Sequence, residues 1–235
     1  MKKIARIAAI ILAIVLIMGI GVVTNSLVGN PVSKYLATNK FKDYIGEHYK
    51  ELDLHVEDVS YNFKYGTYQG IAKSDTSIDT VFSLSYRGGK VEDTYEGDVL
   101  GRWNTYCRLN NEFDQEICAI LGKELPYTSS ILFGELKKPE TINGEAVPLD
   151  LQYDSATVPF EKSITLYVEV QELSMEALAD VVVEVDAMLT RNNQNMSWYT
   201  IVLEQEYNLL GVYNFPKELV GSKDLIDVLK DYVKR

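Results

Sequence analysis

The longest apolar run of the chain stands at its beginning. Residues Ile7–Val23 carry no charged side chain, and a seventeen-residue helix is about 26 Å long at a rise of 1.5 Å per residue. Extended to Val28, such a helix can cross a hydrocarbon layer of roughly 30 Å. The three basic residues before the run should stay in the cytoplasm; they are Lys2, Lys3 and Arg6. We therefore expect residues 1–28 to form a single transmembrane anchor in the cell membrane, with the C-terminal body extracellular.

A cleaved signal peptide is the alternative for this segment. Signal peptides usually have a shorter apolar run, of about 7–15 residues, before an A-x-A-like cleavage site. The best triplets here, around Thr24-Asn25-Ser26 and Leu27-Val28-Gly29, fit such a site poorly, and no cysteine follows for lipoprotein processing. An uncleaved anchor is favoured, and both alternatives place the body outside the cell.

The segment after the anchor predicts a helix followed by four strands. Asn30 suits the N-cap and Pro31 the first helical position, and the helix should run to about Glu51. From Leu54 the apolar period changes to two, which is typical of strands. The predicted strands lie at Tyr61–Tyr65, Tyr68–Ala72, Thr80–Arg87 and Lys90–Tyr95, with turns at Gly66-Thr67 and Gly88-Gly89.

A second helix is predicted over about Asp98–Lys123, with one broad apolar face. We expect this face to lie across the four-stranded sheet. Cys107 and Cys118 fall on that face, but about 16 Å apart along the axis at 1.5 Å per residue. Because a disulfide needs Cα atoms within about 7 Å, we interpret both as small buried thiols.

The rest of the chain predicts a second module. Residues 125–146, with two prolines and two glycines, should be a linker. Alternation and helical periodicity over 147–235 then give the order β-β-α-β-β-α, in which Val147–Tyr153 is the first strand. The expected fold class is α+β: residues 1–28 as the anchor, 29–124 as helix–four strands–helix, and 147–235 as a second small antiparallel sheet with helices.

Charge excludes one class of partner. The chain has 23 basic and 34 acidic residues and a net charge of −11. An acidic body repels the phosphates of nucleic acid, which need a basic binding surface. We therefore expect no nucleic-acid partner.

Catalytic and metal-binding motifs are missing from the sequence. It contains no G-x-S-x-G, H-E-x-x-H, P-loop or G-x-G-x-x-G pattern and only two histidines. Asp53, His55 and Glu57 share a strand face and could ligate zinc, but this face should point to water. The acidic loops lack an EF-hand pattern. We expect no catalytic residues, no metal and no cofactor.

Two groups of residues are candidates for binding. Tyr61, Phe63 and Tyr65 alternate on one strand with Tyr68 across the turn, and an exposed aromatic row could contact a glycan or a peptide. Alternatively, this row is the core face of the sheet, covered by the 98–123 helix.

Asn110 and Asp114 form the second group, because they lie inside the apolar face of that helix. A buried carboxylate must be paired or hydrogen-bonded. Either the two residues bind a loop around Thr76–Thr80, or they line a small polar pocket, with Arg102 and Arg108 as possible counter-charges.

Four segments resemble a known family. They are GNPVSKYL (Gly29–Leu36), VSYNFKYGTY (Val59–Tyr68), SDTSIDTVFSLSYRGGK (Ser74–Lys90) and YEGDVLGRWNTYCRL (Tyr95–Leu109). Over residues 29–109 the chain resembles the N-terminal domain of the YfjL-like family, membrane-anchored proteins of Gram-positive bacteria. The resemblance implies a Gram-positive cell-surface origin and no activity or site residues. The helix–four strands–helix order is also similar to the cystatin and PepSY group of small domains.

These observations favour a non-catalytic, membrane-anchored extracytoplasmic protein that binds another envelope component, protein or glycan. Two alternatives stay open. The first is a regulator or inhibitor of an exported peptidase, as the similarity to cystatin and PepSY domains implies. The second is a hydrolase whose site carries no familiar motif.

Overall fold

A computed structural model describes residues 2–234, except for the side chains of residues 2, 3, 5, 8, 9, 25, 26 and 234. The chain divides into two compact units, Met1–Asn104 and Thr105–Arg235. Each unit contains one β-sheet together with helices. The predicted α+β class is therefore confirmed.

The first unit contains two helices and a four-stranded sheet. The helices are α1 (Lys2–Val28) and α2 (Pro31–His48). The strands are β1 (Leu54–Asn62), β2 (Thr67–Ser74), β3 (Val81–Arg87) and β4 (Lys90–Asp93). They form an antiparallel meander in the order β1-β2-β3-β4. The predicted strand order is confirmed, because alternation and glycine turns define strand and turn locally.

Helix α2 covers this sheet. Its start follows the prediction, since the Asn30 side chain accepts a hydrogen bond from the Ser33 N–H at 2.7 Å. Ala37, Phe41 and Ile45 are buried on the inner face. The Phe41 ring lies over Gly70, where a Cβ would come within 3.2 Å of it. The sequence assigned the covering of this sheet to the 98–123 helix, whereas the structure places α2 on it.

Two tyrosines connect the end of α2 to β4. The hydroxyls of Tyr44 and Tyr49 both donate to Asp93 Oδ2, at 2.5 and 2.9 Å. Burial, and then the Asp93 carboxylate, raise the pKa of both tyrosines. This shared acceptor joins the helix to the far edge of the meander.

Helix α1 carries exposed apolar side chains. The large apolar side chains described between Ile4 and Val28 are 50–73% exposed. Among the residues whose side chains the structure describes, no helix combines the length and the apolarity that a membrane crossing requires. The predicted anchor at 1–28 includes positions that lie outside this description.

The second unit is built on a five-stranded sheet. Its helices are α3 (Trp103–Glu124, whose first two residues belong to the first unit), α4 (Met175–Arg191) and α5 (Leu225–Lys230). Its strands are β5 (Ser129–Leu136), β6 (Lys162–Glu169), β7 (Trp198–Gln205), β8 (Asn208–Pro216) and β9 (Val233–Lys234). The strands lie in chain order across the sheet.

Three expectations about this half of the chain are wrong. The segment predicted as a linker, 125–146, contains strand β5. The predicted strand Val147–Tyr153 has no regular secondary structure. Finally, β6 and β7 are parallel, because α4 lies between them and returns the chain to the starting end of the sheet, as a βαβ crossover does.

The core of the second unit joins α3 and α4 to the sheet. Gly134 on β5 packs so closely that a Cβ there would lie 2.9 Å from the Phe113 ring. The fully buried apolar residues include Leu109, Phe113, Ile117 and Leu121 of α3, Val182, Val185 and Leu189 of α4, and Ile164, Leu166, Ile201 and Leu203 of the sheet. The apolar face of α3 therefore belongs to the second unit, not to the predicted module 29–124.

Candidate functional site

The junction between α1 and α2 is bound by two tyrosines. The Tyr68 hydroxyl accepts a hydrogen bond from the Asn30 N–H at 3.1 Å and lies 3.3 Å from the Asn30 carbonyl oxygen, to which it can donate. The ring of Tyr61 lies beside that of Tyr68, with 5.0 Å between centroids. Gly29 has φ +71°, and a Cβ there would lie 2.7 Å from Tyr68 Oη and 2.8 Å from Tyr61 Cβ. Only glycine fits this contact without strain.

The predicted aromatic row separates into two pairs. Tyr61 and Tyr68 are cross-strand partners and half-buried at the junction. Phe63 and Tyr65 lie in the turn between β1 and β2, and are 64% and 57% exposed. Strand β1 ends at Asn62, whose side-chain oxygen accepts from the Lys64 N–H at 3.1 Å. This turn interrupts the alternation, so Phe63 and Tyr65 are not part of a strand ladder.

Exposed apolar side chains flank the junction along the chain. Val32, Tyr35 and Leu36 on the first two turns of α2 are 69%, 66% and 55% exposed. Isolated exposed apolar residues are ordinary, but a group of them marks an interaction surface. We call this group the junction patch; it consists of Leu27, Val28, Val32, Tyr35, Leu36, Phe63 and Tyr65.

The junction patch lies in a part of the sequence without acidic residues. No Asp or Glu occurs in 27–42 or in 59–73, whereas the whole chain has 34. Along the chain, the charged residues nearest to the patch are Lys34 and Lys64. The Lys64 ammonium lies 5.5 Å from the centroid of the Tyr65 ring. The patch is therefore apolar and weakly basic on an acidic protein.

The second predicted site, Asn110 and Asp114, serves the outer edge of β5. Strand β5 is an edge strand, because it pairs only with β6. Asn110 Oδ1 accepts a hydrogen bond from the Leu136 N–H at 2.8 Å, and Asp114 Oδ1 accepts from the Gly134 N–H at 2.9 Å. The expected partner, the loop at Thr76–Thr80, is replaced by this strand.

Two more side chains on the same face of α3 also contact β5. Together with Asn110 and Asp114 they form a stripe of polar side chains along this strand. The Tyr106 hydroxyl donates to the Leu136 carbonyl oxygen at 2.7 Å, and the Cys118 thiol lies 3.5 Å from that of Leu132. Burial, followed by the nearby Asp114, raises the pKa of the Cys118 thiol. Residues 106, 110, 114 and 118 recur every four positions on one helical face. They satisfy edge groups that would otherwise pair with another strand, which is a structural role.

The cysteines follow the geometric prediction. Cys107 and Cys118 are both thiols on α3 and form no disulfide with each other.

The Asp53, His55, Glu57 group does not form a metal centre. His55 Nε2 lies 2.7 Å from Glu57 Oε1, and His55 Nδ1 lies 3.2 Å from Asp75 Oδ1. The hydrogen bond with Glu57 raises the pKa of His55. Among the residues that the structure describes, no group of three His, Cys, Asp or Glu side chains could hold a metal ion.

A groove lies between α4 and the start of α5. Its volume is about 560 Å³. The lining combines apolar side chains with four carboxylates: Ala179, Val183, Ala187, Leu225 and Ile226, together with Asp180, Glu184, Asp224 and Asp227, and one lysine, Lys223. The Tyr127 hydroxyl donates to Glu184 Oε2 at 2.8 Å, and burial together with Glu184 raises the pKa of Tyr127 to about 12.

Neither this groove nor the Gly29 contact is predicted from the sequence. The acidic positions 180 and 184 are four apart on α4, beside Val183 on the same helical face, which is a signal present in the sequence. The partner segment at 223–227 has no local signal that would place it against α4.

Fold and sites together define a two-unit α+β protein with an exposed apolar helix at its N terminus. The family model described as YfjL-like, N-terminal domain, matches residues 2–97, and the YfjL-like C-terminal domain matches residues 112–230. The chain therefore belongs to the YfjL-like family, and the resemblance over residues 29–109 is confirmed. No curated protein and no solved structure matches the chain.

Proposed function

We propose that this protein is a membrane-anchored extracytoplasmic binding protein of the cell envelope. Its second unit binds a basic, partly apolar segment of another envelope protein in the α4–α5 groove. The observation that carries this proposal is the lining of the groove, in which four carboxylates and one lysine lie among apolar side chains. One of the four, Asp227, also pairs with Lys230 at 2.6 Å. Complementary charge of this kind steers a cationic partner and disfavours an acidic one.

Anchoring is supported by the sequence and by the exposure of α1. The run Ile7–Val23 has no charge, and the exposed apolar side chains described on α1 need surroundings other than water. The basic residues before the run support a cytoplasmic N terminus. The body would then stand on the outer surface of the membrane.

A photo-crosslinker placed in the groove tests the binding proposal. Val183 is 47% exposed and lines the groove, so a benzoylphenylalanine at this position should capture a partner in intact cells. Gln115, exposed on α3, is the control position and should give no such adduct. Equal adducts at both positions, or none at 183, would contradict the proposal, and an adduct with glycan would replace the protein partner.

Charge reversal in the groove supplies an independent measurement. Asp180→Lys with Asp224→Lys should abolish the adduct formed at position 183, because the basic partner is then repelled. Glu140→Lys with Glu145→Lys changes the net charge equally at exposed loop positions and should leave the adduct unchanged. Equal loss in both variants would indicate a general charge effect.

The second candidate is regulation of an exported peptidase. It is favoured by one observation, the packing of α2 across a four-stranded antiparallel meander, which fits the similarity to cystatin and PepSY domains. Fold similarity is weak support for function. Purified protein should then slow the cleavage of a casein substrate by exported host peptidases, and unchanged rates across those peptidases would remove this candidate.

A further inference from the structure

We propose that the junction patch lies in the headgroup layer of the same bilayer that holds α1. The turn Phe63–Gly66 is then a second membrane contact, which fixes the orientation of the first unit on the membrane surface. This inference rests on the proposed anchoring of α1, and its occupant is the outer leaflet rather than a protein.

The distance from the end of α1 supports this placement. Gly29 follows directly after α1 and touches Tyr61. Phe63 is two residues beyond Tyr61, within about 7 Å at roughly 3.3 Å per residue. The headgroup layer on each side of a bilayer is about 5–8 Å thick. If α1 ends at the boundary of the hydrocarbon, the turn therefore reaches the headgroups.

The contact at the junction also makes this placement rigid. The Tyr68 hydroxyl bonds the Asn30 backbone, and Gly29 leaves no space for a Cβ between the two tyrosines. A flexible linker would let the body rotate away from the membrane. Here the two residues that follow α1, Gly29 and Asn30, contact Tyr61 on β1 and Tyr68 on β2, so the end of α1 is held close to the strands that carry the turn.

The chemistry of the junction patch fits a headgroup layer. Tyrosine and other aromatic rings prefer the membrane–water interface, and a lysine can bury its stem there while its ammonium reaches the lipid phosphates. Anionic headgroups attract Lys34 and Lys64 and repel the acidic remainder of the protein. The two acid-free segments, 27–42 and 59–73, are the ones that Gly29 brings together.

The opposite end of the same sheet provides a control position that should stay away from the membrane. Ile78, in the loop between β2 and β3, is 64% exposed, like Phe63. Its loop includes Asp75 and Asp79, and it lies at the end of the meander away from the 63–66 turn, since β2 runs between them. An anionic surface should therefore exclude Ile78.

Spin-label accessibility of the full-length protein in vesicles tests the inference. The vesicles contain phosphatidylglycerol and phosphatidylethanolamine, and the background is Cys107→Ala with Cys118→Ser. Nitroxide labels are placed one at a time through Phe63→Cys, Ile78→Cys and Leu16→Cys. The Phe63 label should collide less often with a water-soluble nickel complex than the Ile78 label does. Its accessibility to oxygen should be lower than that of the Leu16 label, which indicates a shallower position in the bilayer.

The outcomes separate this inference from the anchoring proposal. A Leu16 label in hydrocarbon with a Phe63 label as accessible to nickel as the Ile78 label overturns the membrane contact and leaves the anchor intact. A Leu16 label in water overturns both.

A second label position controls for the case in which the Phe63→Cys substitution disturbs the fold. A label at Tyr35→Cys keeps Phe63 and Tyr65 and should show the same protection from nickel. Adding Phe63→Ser with Tyr65→Ser should then expose the Tyr35 label. Protection that persists unchanged in this variant overturns the role of the turn.

Discussion

Gly29 is the residue at which α1 meets the rest of the first unit. A Gly29→Ala substitution should destabilise the first unit, because a left-handed residue with a Cβ costs roughly 1–2 kcal/mol and the new Cβ overlaps Tyr68 Oη and Tyr61. Thermal unfolding of the protein in detergent, followed by near-ultraviolet circular dichroism, measures the change.

Gly46 provides the matched control for this substitution. It lies inside α2, and a Cβ added there would have nothing within 4 Å. Gly46→Ala should therefore stabilise the protein by about 0.5–1 kcal/mol. A Gly29→Ala variant as stable as Gly46→Ala would show that the junction is not packed as described.

His55 should titrate above its ordinary value. The hydrogen bond with Glu57, aided by the Asp75 carboxylate and opposed by desolvation and by Lys73, raises the pKa of His55 above 6.5. Because the folded-state pKa exceeds the unfolded one, the pair stabilises the fold below about pH 6.5, and this contribution is lost as the pH rises through the folded pKa. The pKa of His55 can be measured from the pH dependence of its imidazole chemical shifts, and it should be lower in Glu57→Gln. An unchanged pKa would contradict the pairing.

At this scale the sequence predicts local interactions well. The Asn30 cap and the Pro31 start depend only on neighbouring residues, and both occur as predicted. The roles of Tyr61 and Tyr68 could not be predicted, because they depend on Gly29, which is more than thirty residues away. The alternation that groups Phe63 and Tyr65 with them continues through a turn, where side-chain period no longer reports a strand face.

At the scale of elements, the stripe on α3 should protect the edge of β5. Asp114→Leu leaves the buried Gly134 N–H without its acceptor, and an unsatisfied buried donor costs about 1–3 kcal/mol. Hydrogen exchange of the Gly134 amide should accelerate, and the second unit should unfold at lower temperature.

Two matched variants complete this test. Asp114→Asn retains a side-chain oxygen and should recover most of the protection. Asn111→Leu, at an exposed position of the same helix, should change the stability by no more than about 0.5 kcal/mol. Unaltered exchange at Gly134 in Asp114→Leu would remove the edge-protecting role.

The errors at this scale share one physical origin. The prolines and glycines within and around β5 predict a linker, yet the hydrogen bonds from α3 and β6 hold this segment in a sheet. Likewise, alternation in β6 and β7 indicates two strands without indicating their relative direction. Pairing partners lie far apart in sequence, and side-chain period does not encode them.

At the scale of the whole molecule, the module boundary depends on the assignment of α3. Its apolar face is evident from the sequence, but any sheet of suitable shape could receive it. The neighbouring strands before it make the first sheet the simplest partner, whereas the core places Phe113 and Ile117 with the second unit. The residues of the apolar face of α3 can therefore be predicted from the sequence, but the sheet against which this face packs cannot.

Cysteine labelling of intact protoplasts measures whether α1 anchors an extracytoplasmic body. Tyr207 is fully exposed, so a Tyr207→Cys variant in the Cys107→Ala, Cys118→Ser background should react with a membrane-impermeant maleimide. A Lys3→Cys variant should react only after lysis. Labelling of Tyr207→Cys only after lysis, or of Lys3→Cys in intact protoplasts, would contradict the account.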